Sequence, residues 1–182
     1  MSTAVVVLAE GFEEIEAITQ IDVLRRAGVQ VTVVGLEPGV VTGAHGIGVD
    51  TDLCLDEFTS QPDLVVLPGG LPGSTNLGES EAVIDLLRRQ HEADRAIGAI
   101  CAAPAFAPVK AGVLDGKRAT CYPSFEAHFN DTTTAVDDRV AVDGNVITSR
   151  GPGTALEFAY ALVEHLEGKA TADGLRSAML AD

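Results

Sequence analysis

Short, uninterrupted β-branched runs alternate with amphipathic stretches from the first residues onward, and that alternation leaves few folds open. Residues 4–8 (AVVVL) contain no polar position, as a strand covered on both faces requires. Glu13, Glu14 and Glu16 then open a helix, where negative charge meets the positive end of the peptide dipole. Ile18, Ile21 and Leu24 follow at helical spacing, Arg25 and Arg26 occupy the last turn, and Gly28 supplies a stop. Residues 29–34 read as a second strand, which completes a parallel βαβ unit.

The same rhythm continues. Residues 38–52 carry Gly39, Gly43, Gly46 and Gly48 in an alternating pattern that predicts a small antiparallel ribbon. A buried strand over 64–67 ends in Pro68-Gly69-Gly70, an amphipathic helix covers 82–89, and another buried strand covers 96–100. A helical stretch is expected just after Cys101, then a short strand over 118–122. Residues 140–142 and 145–149, joined at Asp143-Gly144, predict a hairpin with a type I′ turn. A helix over 155–166 and a short last helix from Ala172 close the pattern. The expected architecture is one α/β domain over 1–182, a three-layer sandwich with a mostly parallel sheet and helices on both faces. A chain of this length buries roughly 70% of its unfolded surface, so it needs no disulfide or metal staple.

Charge narrows the function classes. Acidic residues outnumber basic ones 27 to 12, a formal net charge of −15. Such a surface repels nucleic-acid phosphates and anionic lipid, so neither nucleic acid nor membrane is an expected partner. The acidic excess suits solubility in concentrated salt, an expectation that precipitation in molar salt would refute. The longest mild apolar run, 96–109, is too short to span a bilayer and contains Gly98, Pro104 and Pro108. No basic region precedes the first apolar run, so no secretory signal is expected. The three cysteines, Cys54, Cys101 and Cys121, show no CxxC spacing. That usage fits a reducing, cytoplasmic setting and argues against a disulfide framework or a zinc site.

In open parallel sheets, chemistry gathers beyond the C-terminal ends of the strands. Segments 10–16, 68–73 and 101–104, together with Tyr122, should therefore converge. Cys101 stands in Gly98-Ala-Ile-Cys-Ala-Ala-Pro104, where an apolar strand meets a helix among very small side chains. One reading is a nucleophile on a sharp elbow, its pKa lowered from ~8.5 by helix amides that also hold an oxyanion. The other is a buried thiol acting as a small hydrophobe, and the local sequence leaves both open. Gly69-Gly70 is either a plain tight turn or a close backbone approach that completes the oxyanion site. Glu13 and Glu14 read as helix-start charges. Local context favours a solvated surface position for Glu16, against a carboxyl that faces Cys101 and carries a proton. Cys121 is expected on a strand beside that of Cys101, as an inert thiol rather than a resolving cysteine. GxGxxG, P-loop and HExxH patterns are all missing from the chain.

Four ordered motifs resemble the ThiJ/PfpI superfamily: Ala9-Glu-Gly-Phe-Glu-Glu-Ile-Glu16, Leu67-Pro-Gly-Gly70, Ala99-Ile-Cys-Ala-Ala-Pro104 and Thr148-Ser-Arg-Gly-Pro-Gly-Thr154. The resemblance runs nearly end to end and falls on the branch of the parkinsonism-associated protein deglycase and bacterial YajL. It implies a flavodoxin-like, class I glutamine amidotransferase-like domain. It also implies that Cys101 is the nucleophilic, oxidation-sensitive cysteine and Glu16 the carboxyl bonded to its sulfur. Gly69, Gly70 and Ala102 correspond to the backbone donors of the pocket. A homodimer formed through the first helix would bring Arg26 toward the partner's site, with Arg150 close to the same interface.

Two function classes follow from the resemblance. One is a cofactor-free protein deglycase or glutathione-independent glyoxalase, which turns small 2-oxoaldehydes or glycated side chains into 2-hydroxy acids. The other is a non-enzymatic oxidative-stress sensor or redox-regulated chaperone, with Cys101 oxidised to a sulfinate. Two positions depart from the pattern. Tyr122 stands where many members carry a histidine, which removes a Cys–His pair and argues against peptidase chemistry. His45 stands where a pocket arginine is usual, and it reads as a polar residue on a turn.

Overall fold

The computed structural model describes residues 1–181 of the expected 1–182 domain, with Asp182 outside the described residues. Strand β1 (Thr3–Leu8) leads into α1 (Glu14–Arg26) and β2 (Gln30–Gly35). The ribbon β3 (Val40–Thr42) and β4 (Gly48–Asp50) follows, then a short strand β5 (Leu53–Cys54). Next come β6 (Leu64–Leu67), α2 (Gly73–Glu79), α3 (Glu81–Glu92), β7 (Ala96–Ile100) and α4 (Ala107–Ala111). The remainder forms β8 (Arg118–Ala119), β9 (Thr134–Ala135), β10 (Val140–Asp143), β11 (Val146–Ser149), α5 (Ala155–Glu167) and α6 (Lys169–Ala178).

A seven-stranded sheet runs in the order β10-β11-β7-β6-β1-β2-β5. All its pairs are parallel except β10 with β11 at one edge. Alternate residues of the apolar strands feed opposite faces, so the sheet needs cover on both. Val6 and Leu8 pack with Ala17, Ile21 and Leu24 of α1 and with Phe158 and Leu162 of α5. Val5 and Val7 pack with Leu77 of α2, Val83 and Leu87 of α3 and Ala107 of α4. The result is the expected three-layer α/β sandwich. Gly98 lets α5 close on β7, because a Cβ there would lie 2.9 Å from Leu162 Cδ2. That contact fixes the strand whose end carries Cys101.

The structure corrects several expectations. Ile18 faces solvent at 44% exposure, with Ile15 beside it at 56%, whereas Glu14, Glu16 and Gln20 are buried together with Ala17, Ile21, Val23 and Leu24. Helix α1 therefore turns a polar stripe inward, held in part by Gln20 Nε2 donating to the Ala155 carbonyl at 3.1 Å. The strand expected over 118–122 stops at Ala119 and pairs with β9 outside the main sheet, so Cys121 does not lie on a strand beside β7. In the β10–β11 hairpin, Asp143 pairs with Val146, so the turn residues are Gly144 and Asn145. Only Gly144 has a positive φ, +60°, which is the II′ rather than the I′ pattern. Strand β5 and helix α2 were not foreseen, and the last helix starts at Lys169. Among the described residues, no helix is long and apolar enough to cross a membrane.

Candidate active site

Three strand ends build the site. The chain leaves β1 through Glu10-Gly11-Phe12-Glu13 into α1, leaves β6 through Pro68-Gly69-Gly70, and leaves β7 at Cys101. The Glu13 amide donates to the Gly69 carbonyl at 2.9 Å, and the Tyr122 amide donates to the Cys101 carbonyl at 2.8 Å. The loops expected to converge do so. Gly70 holds φ +87°, and a Cβ on it would lie 2.4 Å from the Glu13 nitrogen, so only glycine lets these two loops touch.

Cys101 adopts φ +63°, a left-handed conformation that side chains rarely take. The small residues Ala102 and Ala103 after it let the backbone turn without a clash. Its amide donates to the Ser149 carbonyl at 2.9 Å, which locks the bend to the neighbouring strand. A strained residue held on both sides marks a place where the surroundings over-determine the backbone. The residue is largely buried, at 9% exposure.

Glu16 settles the question left open by the sequence: it is fully buried, not a surface carboxyl. Its Oε2 accepts the Gly69 amide at 2.7 Å, while Oε1 has no hydrogen-bond partner. Gly69 is the spacer between the two groups, since a Cβ there would lie 2.5 Å from Cys101 Cβ and 2.6 Å from Glu16 Oε2. Its amide is committed to Glu16, so it is not a free oxyanion donor as expected. The N–H groups that face the sulfur are those of Gly70 and Ala102.

The electrostatics reverse one expectation. Burial pushes the Cys101 thiol up to about 12, the adjacent Glu16 charge adds to the effect, and the Gly70 and Ala102 amides oppose it. The helical segment after the elbow is a single turn followed by the five-residue α4, too short to outweigh burial. Burial also pushes Glu16 up to about 7, against the Gly69 amide and the neighbouring thiol, with the Glu13 charge adding to the rise. At neutral pH the sulfur is thus a thiol beside a carboxyl that is close to half ionised. Such a pair does not store a thiolate, but it can pass a proton during attack.

Glu14 and His45 form a second arrangement at the mouth of the site that sequence reasoning missed. Glu14 Oε1 accepts the His45 amide at 2.7 Å and its Oε2 meets His45 Nδ1 at 2.8 Å. Burial would raise the Glu14 carboxyl, but the His45 ring and the backbone amides, including those of His45 and Ile47, outweigh it and hold the group at about 2. The His45 ring is raised by the same contact, then by the charges of Glu13 and Glu14. Glu14 is therefore an anchor tying the β3–β4 ribbon to the start of α1, not merely a helix-start charge. Glu13, Glu14 and His45 bring donor atoms within 4.8 Å of one another, a geometry the Glu14–His45 hydrogen bond accounts for without an ion.

The other expected residues lie apart. Tyr122 is tied to Cys101 through the backbone, and its ring is 46% exposed with Phe125 at its edge. Arg26 sits ten residues after Glu16, about 15 Å further along α1, and pairs with Asp22 at 2.7 Å. Arg150 binds the Asp137 carboxylate at 3.1 Å and borders a cavity with Cys121 rather than Cys101.

A family model described as "DJ-1/PfpI family" matches residues 2–165. The chain belongs to the DJ-1/PfpI family. The protein is 49% identical to the Drosophila melanogaster protein dj-1beta over 170 residues, covering 92% of this chain and 90% of that one. The crystal structure of Drosophila DJ-1beta superposes with a TM-score of 0.94 at 47% identity, covering 99% and 98% of the two chains. A Caenorhabditis elegans relative named glutathione-independent glyoxalase DJR-1.2 is 37% identical, over 92% of this chain and 89% of that one. Against the longer Arabidopsis thaliana DJ-1 homologs A and B, the chain spans only 46% and 37% of their lengths. The expected fold and family are those of its relatives.

Proposed function

We propose that this DJ-1/PfpI protein is a cofactor-free, cysteine-dependent enzyme converting small 2-oxoaldehydes, or their early adducts on protein side chains, to 2-hydroxy acids. The observation that carries the reading is the Cys101 thiol on its positive-φ elbow against a buried Glu16 whose carboxyl titrates near neutrality. The relative named as a glutathione-independent glyoxalase supports the same reaction class.

The steps balance without an external oxidant. Ionised Glu16 accepts the thiol proton as the Cys101 sulfur adds to the aldehyde carbon, and the Gly70 and Ala102 amides hold the developing oxyanion. Return of that proton to the oxygen gives a neutral hemithioacetal. Glu16 then removes the hydrogen on that carbon to form an enediol, and a proton delivered to the adjacent carbon gives a hydroxyacyl thioester. Water cleaves the thioester, releasing the 2-hydroxy acid and restoring the thiol. The deglycase form begins from the carbon bearing the adduct, and the glyoxalase form from free aldehyde.

The exposed Ile15 and Ile18 on α1 support a homodimer through that helix, with Arg26 on the same element, and sedimentation measures it directly. The deciding assay for the chemistry is lactate formation from methylglyoxal by the wild type, Cys101→Ser and Glu16→Gln. Turnover only in the wild type is expected. No lactate from the wild type refutes the enzyme and leaves the redox sensor or chaperone reading. Turnover retained in Cys101→Ser refutes the role of the sulfur.

A further inference from the structure

A second thiol–carboxylate pair lies away from Cys101. Cys121 Sγ is 4.0 Å from Glu126 Oε2, and both border a cavity of about 240 Å³ whose walls include Thr120, Asp137 and Arg150. The cavity opens between the small β8–β9 sheet, the 125–128 turn and the residue that follows β11. None of Cys101, Glu16, Gly69 or Gly70 borders it.

Opposite charges face this cavity without meeting. Among the described residues, Glu126 has no cation within ion-pair distance, and its contact is the Cys121 thiol. Arg150 uses Nη1 on the Asp137 carbonyl and carboxylate, each at 3.1 Å, and its other N–H groups have no acceptor among the described residues. Thr120 also lines the cavity; it is 1% exposed, and its hydroxyl has no hydrogen-bond partner. Burial, and then Glu126, push the Cys121 thiol up to about 12, so this sulfur stands in the cavity wall as a thiol.

The space and the charges select one ligand chemistry. The cavity of about 240 Å³ matches the liquid volume of about eight waters at ~30 Å³ each. That admits an amino acid with a short side chain. A simple carboxylate would satisfy Arg150 but be repelled by Glu126, and a simple amine would do the reverse. We propose that this cavity binds a small zwitterionic α-amino acid, its ammonium on Glu126, its carboxylate on the free N–H groups of Arg150, and its short side chain toward Cys121 and Thr120. The site is independent of turnover at Cys101.

Calorimetric titration of the whole protein with L-alanine, with propionate and ethylamine as single-charge controls, tests this. Saturable alanine binding is expected, about tenfold or more tighter than either control and lost by a similar factor in Glu126→Gln. Glu126 is on an exposed turn, so that variant keeps its fold. Binding must persist in Cys101→Ala, which separates this cavity from the Cys101 pocket. Alanine should also slow alkylation of Cys121, read peptide by peptide by mass spectrometry. No saturation by millimolar alanine, equal affinity for propionate, equal binding in Glu126→Gln, or loss in Cys101→Ala each overturns the proposal.

Discussion

Glu16 accepts a hydrogen bond from the Gly69 amide at 2.7 Å, and the missing side chain of that same glycine is what allows Cys101 to stand against the carboxyl. Gly69→Ala would place a methyl 2.5 Å from Cys101 Cβ and 2.6 Å from Glu16 Oε2, so one of the pair must move. Overpacking of this kind costs about 1–3 kcal/mol, and a displaced reacting group costs on the order of 10²-fold in rate. Urea unfolding and lactate formation measure the two effects. A Gly69→Ala protein with wild-type turnover would show that the glycine does not position the pair.

The Glu16 carboxyl also sets a pH dependence of stability. Its ordinary value of 4.5 is raised to about 7 in the fold, first by burial. The folded protein then holds this proton across a range where the unfolded chain has lost it, so stability falls as pH rises from 4.5 to about 7. At ~1.4 kcal/mol per pH unit, the loss from this group is of order 3 kcal/mol. Glu16→Gln cannot ionise, so denaturant unfolding at pH 5 and pH 8 should differ less in the variant than in the wild type. An unchanged difference would mean that Glu16 does not titrate in this window.

Thiol reactivity provides an independent check. The Glu16 charge, together with burial, keeps the Cys101 thiol protonated. In Glu16→Gln the charge is gone, so the thiol pKa falls and the thiolate fraction at pH 8 rises, by about tenfold for each pH unit removed. Iodoacetamide should alkylate Cys101 faster in the variant, as followed by intact mass. Slower alkylation would show that Glu16 stabilises the thiolate instead.

Much of this arrangement was legible in the chain, for reasons that differ from element to element. Residues 4–8, 64–67 and 96–100 announce themselves because strands buried on both faces admit no polar residue. Loops at the C-terminal ends of those strands converge because the parallel strands all point the same way. Helix α2 left no signal: its sequence, Gly-Ser-Thr-Asn-Leu-Gly-Glu, is poor in helix formers, and packing of the buried Leu77 and Gly78 holds it. Glu16 was misjudged locally because burial of a carboxyl depends on a backbone donor at Gly69, 53 residues away. The Cys101 pKa was misjudged for a related reason. The elbow is written in the small residues, but desolvation is a property of the assembled pocket.

Glu14 and His45 yield a prediction of opposite sign to that for Glu16. Glu14 is 5% exposed and is held at about 2, below its ordinary 4.5, because the His45 ring and backbone amides outweigh the effect of burial. Its stabilising contribution is complete above pH 4.5 and disappears as pH falls toward 2, when the folded carboxylate takes up its proton. That range again corresponds to ~3 kcal/mol at ~1.4 kcal/mol per pH unit. Glu14→Gln removes the contribution and leaves the ribbon held by its backbone bonds and by Glu10 Oε1, which accepts the Thr42 amide. The variant should therefore be less stable than wild type at pH 6, with the gap narrowing as both are taken to pH 2.5 in urea titrations. Because the ribbon packs beside the start of α1, exchange of the His45 and Ile47 amides with deuterium should also quicken at pH 6. A variant equally destabilised at pH 6 and pH 2.5, with those amides unchanged, would show that the carboxylate does not anchor the ribbon.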